Sequence, residues 1–418
     1  MLLLWVYIAI SLALSFLLII IYSYQVGVAL FGMKAPKKSL DLRPVKTFAI
    51  IVPAHNEERV IRDTVLNLTS LKYPKDLYEV FVIADNCDDK TAQLARAAGA
   101  RVLVRHDKTL VGKGHTLRWA LERIREIGHY DGYVIIDADN IAAHNFLLKM
   151  NNELLRGAKV IQGYLGSKNP RETWVTKTIA ATYFLMNRFY ELPRHRLKLA
   201  CPLGGTGFCI SSEVLDTYGW GFRSLTEDLE FSSQLILDGI KVTWCHEAVV
   251  YDEKPRGFVA AVKQRARWMR GHTDVMVRYS GKLIKKGITK RDGASMDMAL
   301  YLCLPFIMTV WFIVFAIGFF IPGLPMTLKH LGILGGSWAL FSAFQFVFFT
   351  SWWLVIPLYA IKLEGEDPRD YWYAPFTIMA FSWVMLFLNI QGLMKFNDKS
   401  WGHTKHDATL DPAIRLDG

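Results

Sequence analysis

The chain has 418 residues, 52% of them hydrophobic, and its mean hydropathy of +0.20 is higher than expected for an ordinary soluble enzyme. The formal net charge is +11, and residues 256–291 alone hold eleven Lys or Arg and one acid. Because this basic stretch leads directly into an apolar segment, attraction to anionic lipid headgroups explains it more simply than nucleic-acid binding. The composition therefore predicts a membrane protein that contacts lipids and has no nucleic-acid partner.

The N-terminal residues 1–31 predict a transmembrane helix. They contain no charged side chain, and the apolar run is long enough to cross a hydrocarbon core of about 30 Å. A cleaved signal peptide is the alternative, but the run has no basic region before it and is longer than a signal-peptide core. Basic residues follow it instead, from Lys34 onward. The positive-inside rule then puts the N-terminus outside and the next domain in the cytoplasm.

Residues 47–255 predict an α/β domain. Short apolar runs bounded by turn residues indicate strands at 48–53, 78–85, 101–104 and 132–137. Helices are expected between them at 57–71, 91–98 and 115–127. Strands that alternate with helices of this length predict a mostly parallel sheet, whose ligands bind beyond the carboxyl ends of the strands. Asp85 and the pair Asp137 and Asp139 fall at such ends.

The motif Asp137-Ala138-Asp139 is a candidate cation site. In an extended backbone, residues two apart point to the same side, so the two carboxylates repel each other unless a cation offsets the repulsion. A loop whose Asp residues cap a helix is the alternative. At the end of another predicted strand, an unpaired Asp85 carboxylate can accept hydrogen bonds from a nucleobase or a ribose, or it can cap the next helix.

Two glycine-containing segments are candidate contacts for a substrate. Gly112-Lys113-Gly114 precedes a predicted helix and resembles a phosphate-binding loop without its full spacing. Lys113 is therefore either a contact for a diphosphate or an exposed surface lysine. The run at 204–207, which contains Gly205 and Thr206, permits close approach of a ligand to the backbone, as in the floor of an acceptor site. An ordinary turn is the alternative.

Thr226-Glu227-Asp228 begins a predicted helix that continues to Leu237, with Thr226 as its N-cap. In one interpretation, the two acids only complement the helix dipole. In the other, the helix start presents a carboxylate at the edge of the sheet, where Asp228 can act as a general base.

Gln264, Arg267 and Trp268 are spaced i, i+3 and i+4, so they share one face of a helix. An arginine there can bind a diphosphate with both arms of its guanidinium. Arg265 lies about 200° around the helix from Arg267. The stretch 256–291 also predicts amphipathic helices at the membrane surface, and a lipid anchor without a catalytic role is the alternative.

Residues 297–394 predict a C-terminal membrane region with three spans, at about 297–321, 338–361 and 373–394. Residues 395–418 form a polar tail. Four spans in total, with the N-terminus outside, put this tail outside as well, whereas its basic residues favour the cytoplasm. The sequence does not decide on which side of the membrane the tail lies.

With these motifs in order, the chain resembles the processive family 2 glycosyltransferases, such as cellulose, hyaluronan and chitin synthases. Within them it is most similar to bacterial exopolysaccharide synthases of the methanolan type. The matching stretches are 52–58, 84–87, 137–140, 225–230 and 264–268. The resemblance implies a GT-A fold and a place in the bacterial inner membrane.

The resemblance also implies roles for the motif residues. It assigns Asp228, with its neighbour Glu227, to catalysis and Asp139 to a Mg²⁺ or Mn²⁺ ion. The acceptor is expected to contact Gly205, Thr206 and Trp268. The nucleotide-sugar donor is expected to contact a larger set: Pro53, His55, Glu57, Asp85, Lys113, Asp137, Gln264 and Arg267.

The implied reaction is an inverting displacement that polymerises a β-linked polysaccharide from a nucleotide-diphosphate sugar, expected to be UDP-linked, and helps to export it. The acceptor is then a growing polysaccharide or a lipid. Among enzymes, the alternative is transfer of a single sugar to a lipid such as a polyprenyl phosphate or a glycolipid. Outside enzymes, the alternative is a transport or scaffold protein whose soluble domain only binds a nucleotide.

Overall fold

A mixed sheet of eight strands lies at the centre of the described chain, which in this computed structural model comprises residues 2–36, 38–318, 354–398, 400 and 406–417. The spatial order of the strands is β3-β2-β1-β4-β7-β6-β8-β5. Their bounds are β1 Phe48–Ala54, β2 Tyr78–Asp85, β3 Arg101–Arg105, β4 Gly132–Ile135, β5 Ile141–Ala142, β6 Val160–Ser167, β7 Phe208–Ser211 and β8 Val242–Asp252.

The N-terminal half of the sheet is parallel. β1 pairs in parallel with β2 and with β4, and β2 pairs in parallel with β3. β6 and β8 are parallel too, whereas β7 is antiparallel to both of its neighbours and β5 is antiparallel to β8. The predicted α/β domain with a mostly parallel sheet is therefore confirmed. Because parallel strands end at the same edge, the carboxyl ends of β1, β2 and β4 meet there.

Helices cover both faces of the sheet. Phe48, Ile50 and Val52 of β1 pack on one face, and the alternate residues Ala49 and Ile51 pack on the other. The helices of this domain are α2 Ile61–Thr69, α3 Thr91–Ala97, α4 Lys113–Ile127, α5 Phe146–Leu155, α6 Trp174–Met186, α7 Leu192–Arg196, α8 Ser212–Tyr218 and α9 Glu227–Leu237. Side chains of α2, α3 and α5 pack in the hydrophobic core on the Phe48 face of the sheet. Side chains of α4, α8 and α9 pack in the core on the Ala49 face.

Helix α2 begins later than the predicted start at Glu57. Asn56 has a left-handed backbone, with φ of 56°, and Val60 N–H donates to the Glu57 carbonyl at 3.1 Å, so a turn precedes the helix at Ile61. Asparagine adopts this conformation more readily than most residues. Because the helix begins only at Ile61, Glu57 lies in the loop at the end of β1, where it can face a ligand.

The segment predicted as several amphipathic helices is one helix, α10 Phe258–Thr289. The remaining helices are α1 Leu2–Ala29, α11 Gly293–Gly318, α12 Leu354–Leu363 and α13 Ala374–Lys395. Among the described residues, three segments are long and apolar enough to cross a membrane: Trp5–Gly32, Gly293–Val314 and Pro368–Lys395. The expected span at 338–361 lies mostly outside the described residues.

Helices α1 and α11 are attached to the α/β domain through buried polar contacts. The Arg194 guanidinium of α7 pairs with the Asp297 carboxylate of α11 at 2.9 Å, and both side chains are buried. The Tyr24 hydroxyl of α1 donates to the same carboxylate at 2.9 Å. A buried ion pair needs such additional hydrogen bonds to offset its desolvation, so these contacts define how the helices dock.

Residues 406–417 return to the α/β domain. Asp411 N–H donates to the Lys168 carbonyl at 2.8 Å, and His144 N–H donates to the Leu416 carbonyl at 3.0 Å. The segment predicted as a polar tail is therefore bound along the domain, close to the carboxyl-end edge of the sheet.

Candidate active site

A cleft of about 560 Å³ lies at the carboxyl-end edge of the sheet, between the strand ends and α10. Every residue singled out from the sequence lines it: Pro53, His55, Glu57, Asp85, Lys113, Asp137, Asp139, Gly205, Thr206, Glu227, Asp228, Gln264, Arg267 and Trp268. Segments more than 200 positions apart in the chain thus converge on one cavity. Their individual roles stay predictions.

Asp85 is buried at the end of β2 and is already paired. Its Oδ1 accepts from the Arg105 guanidinium at 2.7 Å, and its Oδ2 accepts from the Thr116 hydroxyl at 2.6 Å. The expectation of an unpaired carboxylate is therefore wrong. Arg105 comes from the neighbouring strand β3, and a sequence pattern does not reveal such a cross-strand partner. Because each carboxylate oxygen has two lone pairs, Asp85 can still accept a hydrogen bond from a ligand.

Lys113 lies inside the cleft, so the alternative of an exposed surface lysine is wrong. Gly112, with φ of +117°, turns the chain into α4 in a conformation that favours glycine. The Lys113 ammonium donates to the Asp137 carboxylate and to the Gly205 carbonyl, the latter at 2.6 Å. Burial acts to lower the pKa of Lys113, but Asp137 and Glu227 outweigh it and raise that pKa, so the group stays charged.

The carboxylates Asp137 and Asp139 lie on a turn rather than on an extended strand. β4 ends at Ile135, and Asn140 N–H donates to the Asp137 carbonyl at 3.1 Å. The expectation that an extended backbone aligns the pair is therefore wrong, although both line the cleft. The Thr206 hydroxyl holds the turn, because it accepts from Asp137 N–H at 3.0 Å and from the Asn140 amide at 2.7 Å.

Asp139 and its neighbour in sequence, Asn140, offer oxygen atoms of the kind that suits a hard cation. The Asn140 Oδ1 atom is buried and makes no hydrogen bond within the described part of the chain. Across the described ranges, no three His, Cys, Asp or Glu side chains form a ready-made metal cluster. This donor set fits Mg²⁺ or Mn²⁺, which prefer oxygen ligands and take only one or two carboxylates when substrate phosphates complete their shell.

His406 reaches the cleft from the C-terminal segment, and sequence reasoning missed it. Its Nδ1 lies 2.9 Å from Glu57 Oε1, and its Nε2 lies 3.8 Å from Asp139 Oδ2. Burial acts to lower the pKa of His406, but the two carboxylates outweigh it and raise that pKa to about 10. The next residue, Asp407, donates its N–H to the Glu253 carboxylate at 3.1 Å. A histidine in a polar tail carries no local signal for such a position.

The Thr226-Glu227-Asp228 motif stands at the start of α9, as predicted. Thr226 occupies the N-cap position, but its side chain makes no capping hydrogen bond, so that detail is wrong. The loop before the helix is held instead by Glu230, whose carboxylate accepts from Ser224 N–H at 2.8 Å. Burial raises the pKa of both Asp228 and Glu227. If Glu227 and Asp228 only complemented the helix dipole, they would not need to line the cleft, as both of them do.

Helix α10 packs directly against this motif. A Cβ atom at Gly271 would lie 2.7 Å from Thr226, so only glycine permits this approach. The Ser224 hydroxyl donates to the Gly271 carbonyl at 3.1 Å, and Arg278 pairs with Glu230 at 2.5 Å. These contacts hold Asp228 and the cleft-facing side of α10 at a fixed separation.

Gln264, Arg267 and Trp268 of α10 all border the cleft, so their predicted common face is confirmed. Arg267 forms no ion pair with any residue that the structure describes. Burial lowers the pKa of Arg267, and the nearby carboxylates of Glu227 and Asp137 offset this effect only in part. Its guanidinium is therefore oriented toward a cavity that already contains carboxylates. An anionic ligand with a bound cation would balance this arrangement of charges.

Aromatic side chains form the end of the cleft nearest to α11. Tyr183 of α6, His272 of α10 and Tyr301 of α11 line it together with Trp268. His272 Nε2 donates to the Leu302 carbonyl at 3.0 Å, which defines its tautomer because a carbonyl can only accept. These residues were not predicted, since each stands in an apolar segment that resembles ordinary helix packing.

The fold and the cleft together define an α/β domain of the GT-A type. The mannosyltransferase PcManGT from Pyrobaculum calidifontis, solved in complex with GDP-Man and Mn²⁺, has the same fold. The comparison gives a TM-score of 0.56 over 91% of this chain and 98% of that chain, at 17% identity. Residues 44–271 match the sequence family described as glycosyltransferase like family 2, and the chain belongs to this family.

Curated relatives include enzymes with different acceptors. The β-monoglucosyldiacylglycerol synthase of Trichormus variabilis is 29% identical over 268 residues, which are 62% of this chain and 56% of that enzyme. The poly-β-1,6-N-acetyl-D-glucosamine synthase of Staphylococcus aureus (strain COL) is 24% identical over 258 residues, 58% of each chain. The chain thus spans less than three fifths of the length of either relative. The family is confirmed, and the methanolan-type subgroup stays a prediction.

Replacing Arg267 with lysine is expected to reduce sugar transfer by at least about tenfold, because an ammonium cannot bind a diphosphate with two arms. Arg270→Lys is the matched control, since Arg270 pairs with Asp398 at 2.7 Å, a contact that lysine retains. Arg265 packs over the Phe381 ring at 4.6 Å, so Arg265→Lys should alter stability rather than transfer per folded molecule. The measurement is transfer per mole of membrane-inserted protein. Equal losses of transfer in all three variants would show that Arg267 does not bind the diphosphate.

Proposed function

We propose that this protein is an inverting glycosyltransferase that polymerises a β-linked polysaccharide from a UDP-linked sugar and takes part in its export. It acts in the inner membrane of a bacterium, with its α/β domain in the cytoplasm and its N-terminus outside. The observation that carries the proposal is the convergence of Asp228, Arg267 and the Asp137–Asp139 turn on one cleft.

Asp228 is the general base of the proposed reaction. It takes the proton from the acceptor hydroxyl, whose oxygen attacks the anomeric carbon as the bond from that carbon to the diphosphate breaks. Burial raises the pKa of Asp228 above that of an exposed aspartate, which makes the carboxylate a better proton acceptor. A single displacement inverts the anomeric carbon, so an α-linked sugar donor gives a β-linked product.

The leaving diphosphate is held by cationic side chains on two sides of the cleft. Arg267 approaches from α10, and Lys113 approaches from the start of α4. A Mg²⁺ or Mn²⁺ ion held by Asp139, with Asp137 nearby, would stabilise the negative charge that develops on the diphosphate. The Mn²⁺ ion in the mannosyltransferase structure of the same fold supports this choice of metal.

A saccharide acceptor fits the aromatic end of the cleft. Trp268, Tyr183 and Tyr301 border the cavity on the side of α6 and α11, and flat aromatic faces pack against the apolar faces of sugar rings. A growing chain end bound there lies next to Asp228. The poly-β-1,6-N-acetyl-D-glucosamine synthase relative supports a polymer as the product.

Transfer of one sugar to a lipid is the second candidate function. It is favoured by the 29% identity to a β-monoglucosyldiacylglycerol synthase, whose name indicates a single glucosyl group on diacylglycerol. The same base, diphosphate site and metal would serve both reactions. The two candidates differ only in whether the product binds again as an acceptor.

Product length decides between the two candidates. Protein in native-lipid membranes is incubated with radiolabelled UDP-glucose, UDP-N-acetylglucosamine or GDP-mannose and with Mg²⁺ or Mn²⁺, and the products are separated by size. We expect turnover of one UDP-sugar into chains whose length increases with the ratio of sugar donor to enzyme. A product with a single added sugar at every ratio would contradict the polymerase and support the lipid glycosyltransferase. The absence of turnover under all these conditions would contradict both.

A further inference from the structure

Helix α13 has one face packed on the enzyme and an opposite face that is largely exposed among the described residues. Phe381 packs with Ala261 of α10, and Leu388 packs with Met269 of the same helix. Gly392 allows a close approach to α10, because a Cβ there would lie 2.8 Å from the Thr273 hydroxyl and 3.0 Å from the Met269 carbonyl oxygen. Helix α13 therefore runs alongside the first half of α10.

The opposite face of α13 is an exposed apolar stripe. Large apolar side chains recur on it every three or four residues, which is the spacing of one helical face. They are Trp372, Phe376, Met379, Trp383, Phe387, Ile390 and Met394. Phe387 is 72% exposed and Met394 is 78% exposed. A continuous row of exposed large apolar side chains is typical of a site of interaction with a protein or a membrane.

Both ends of α13 are bound to the catalytic domain. Before the helix, Arg171 pairs with Glu366 and lies 3.8 Å from the Asp370 carboxylate. After the helix, Arg270 pairs with Asp398 at 2.7 Å, one turn of α10 beyond the cleft residue Arg267. A helix of 22 residues is about 33 Å long, which equals the thickness of a bilayer core. A crossing helix would therefore carry one of these ends to the far side, away from the domain.

We propose that α13 does not cross the membrane but lies along its cytoplasmic surface, with the apolar stripe inserted among the lipids. Phe312 of α11 contacts Trp383 at a ring distance of 4.8 Å, so the stripe is continuous with the apolar surface of a membrane-crossing helix. Lys395 and Arg369 flank the helix and can contact phosphate headgroups, Arg369 with a side chain that stays 90% exposed although it pairs with Asp367 at 2.7 Å. Tryptophans on the stripe also suit this interfacial depth.

This arrangement accounts for the side on which the C-terminal segment lies. Helix α11 begins on the catalytic side, where Asp297 meets Arg194, and α12 ends there, where Glu364 meets Arg188 at 3.4 Å. The chain therefore lies on the catalytic side both at Asp297 and at Glu364. With α13 on the surface, residues 406–417 return to the catalytic side without a further crossing. The sequence had predicted 373–394 as a span, which would put that segment on the other side.

Depth measurements on the full-length protein test the proposal. The five native cysteines are replaced by alanine, and single cysteines are introduced as Phe376→Cys, Trp383→Cys, Phe387→Cys and Met394→Cys. Each carries an environment-sensitive dye in vesicles of phosphatidylethanolamine and phosphatidylglycerol that contain lipids spin-labelled at the headgroup or at the chain end. We expect the headgroup label to quench each of the four dyes more strongly than the chain-end label does. The ratio of the two quenching efficiencies should be similar at all four positions. Stronger quenching by the chain-end label at 383 and 387 would mean a crossing helix. Quenching by neither label would mean a protein partner. Either result overturns the proposal.

A charge substitution in the native-cysteine background keeps the test independent of the alanine variant. Phe387→Lys stands near the middle of α13, and Val310→Lys stands on an exposed position of α11, which is long and apolar enough to cross. On a surface helix, lysine extends to the headgroups, whereas within the hydrocarbon core it is costly. We expect the yield of membrane-inserted Phe387→Lys to stay within about twofold of the parent, and that of Val310→Lys to fall far below it. Equal losses would contradict a surface position for α13.

Discussion

The Asp228→Asn variant is expected to bind the sugar donor normally and to transfer the sugar about 10²–10⁴-fold more slowly, which is the usual effect of removing a general base. Asparagine preserves the volume at the start of α9, so the contacts of Gly271 with Thr226 should remain and the fold should survive. Asparagine cannot accept the proton of the acceptor hydroxyl. Binding of the nucleotide sugar and transfer are measured separately on the same purified membranes.

The matched control is Asp238→Asn, the same substitution at the exposed end of the same helix, which should leave transfer unchanged. The pH profile is a second readout. Burial raises the pKa of Asp228, and the base acts only when it is deprotonated, so transfer should fall as the pH drops through that raised value. The residual activity of Asp228→Asn should lack this acid limb. Near-normal product from Asp228→Asn would remove the residue from the role of base.

Removal of the metal is expected to abolish turnover, and so is Asp139→Ala. Mg²⁺ or Mn²⁺ should restore the wild type after treatment with EDTA, whereas Zn²⁺ should not, because the site offers hard oxygen ligands. The Asp139→Ala variant should stay inactive with each of these ions. Transfer after chelation and after each addition is the measurement.

A binding experiment separates the loss of metal from a loss of folding. Because the described residues provide no ready-made metal cluster, we expect Mn²⁺ to bind tightly only when UDP supplies its phosphates. Electron paramagnetic resonance of Mn²⁺ should therefore show UDP-dependent binding to the wild type and none to Asp139→Ala, with Asp238→Asn as the control. Full activity in EDTA would mean that the acidic pair serves another purpose.

Much of the site was accessible from short sequence patterns. The strand β2 was predicted with its observed bounds, Tyr78–Asp85, because a buried parallel strand is a continuous apolar run. The i, i+3 and i+4 spacing of Gln264, Arg267 and Trp268 was sufficient to place them on one face, since helical periodicity is a local property. The start of α9 at Glu227 followed from the same kind of reasoning.

Errors arose where a residue's environment is made by distant parts of the chain. Asp85 appeared in the sequence as an unpaired acid, yet Arg105 from the next strand neutralises it at 2.7 Å. Asp137 and Asp139 were expected on an extended strand, but β4 ends two residues earlier and a turn held by Thr206 presents them. In both cases the partner is chosen by strand order and loop packing, which leave no trace in the local pattern.

The residue types that the chemistry requires, and the secondary structure that carries them, could thus be derived from neighbours within a few positions. Three-dimensional packing was needed to bring His406 to Glu57 across 349 positions, to set Gly271 against Thr226, and to bind both ends of α13 to one domain. Periodicity and propensity act over one or two helical turns, whereas these contacts follow from how the completed elements exclude water from their shared surfaces. An apolar helix of 22 residues satisfies the length for a span, and only its neighbours reveal which way it lies.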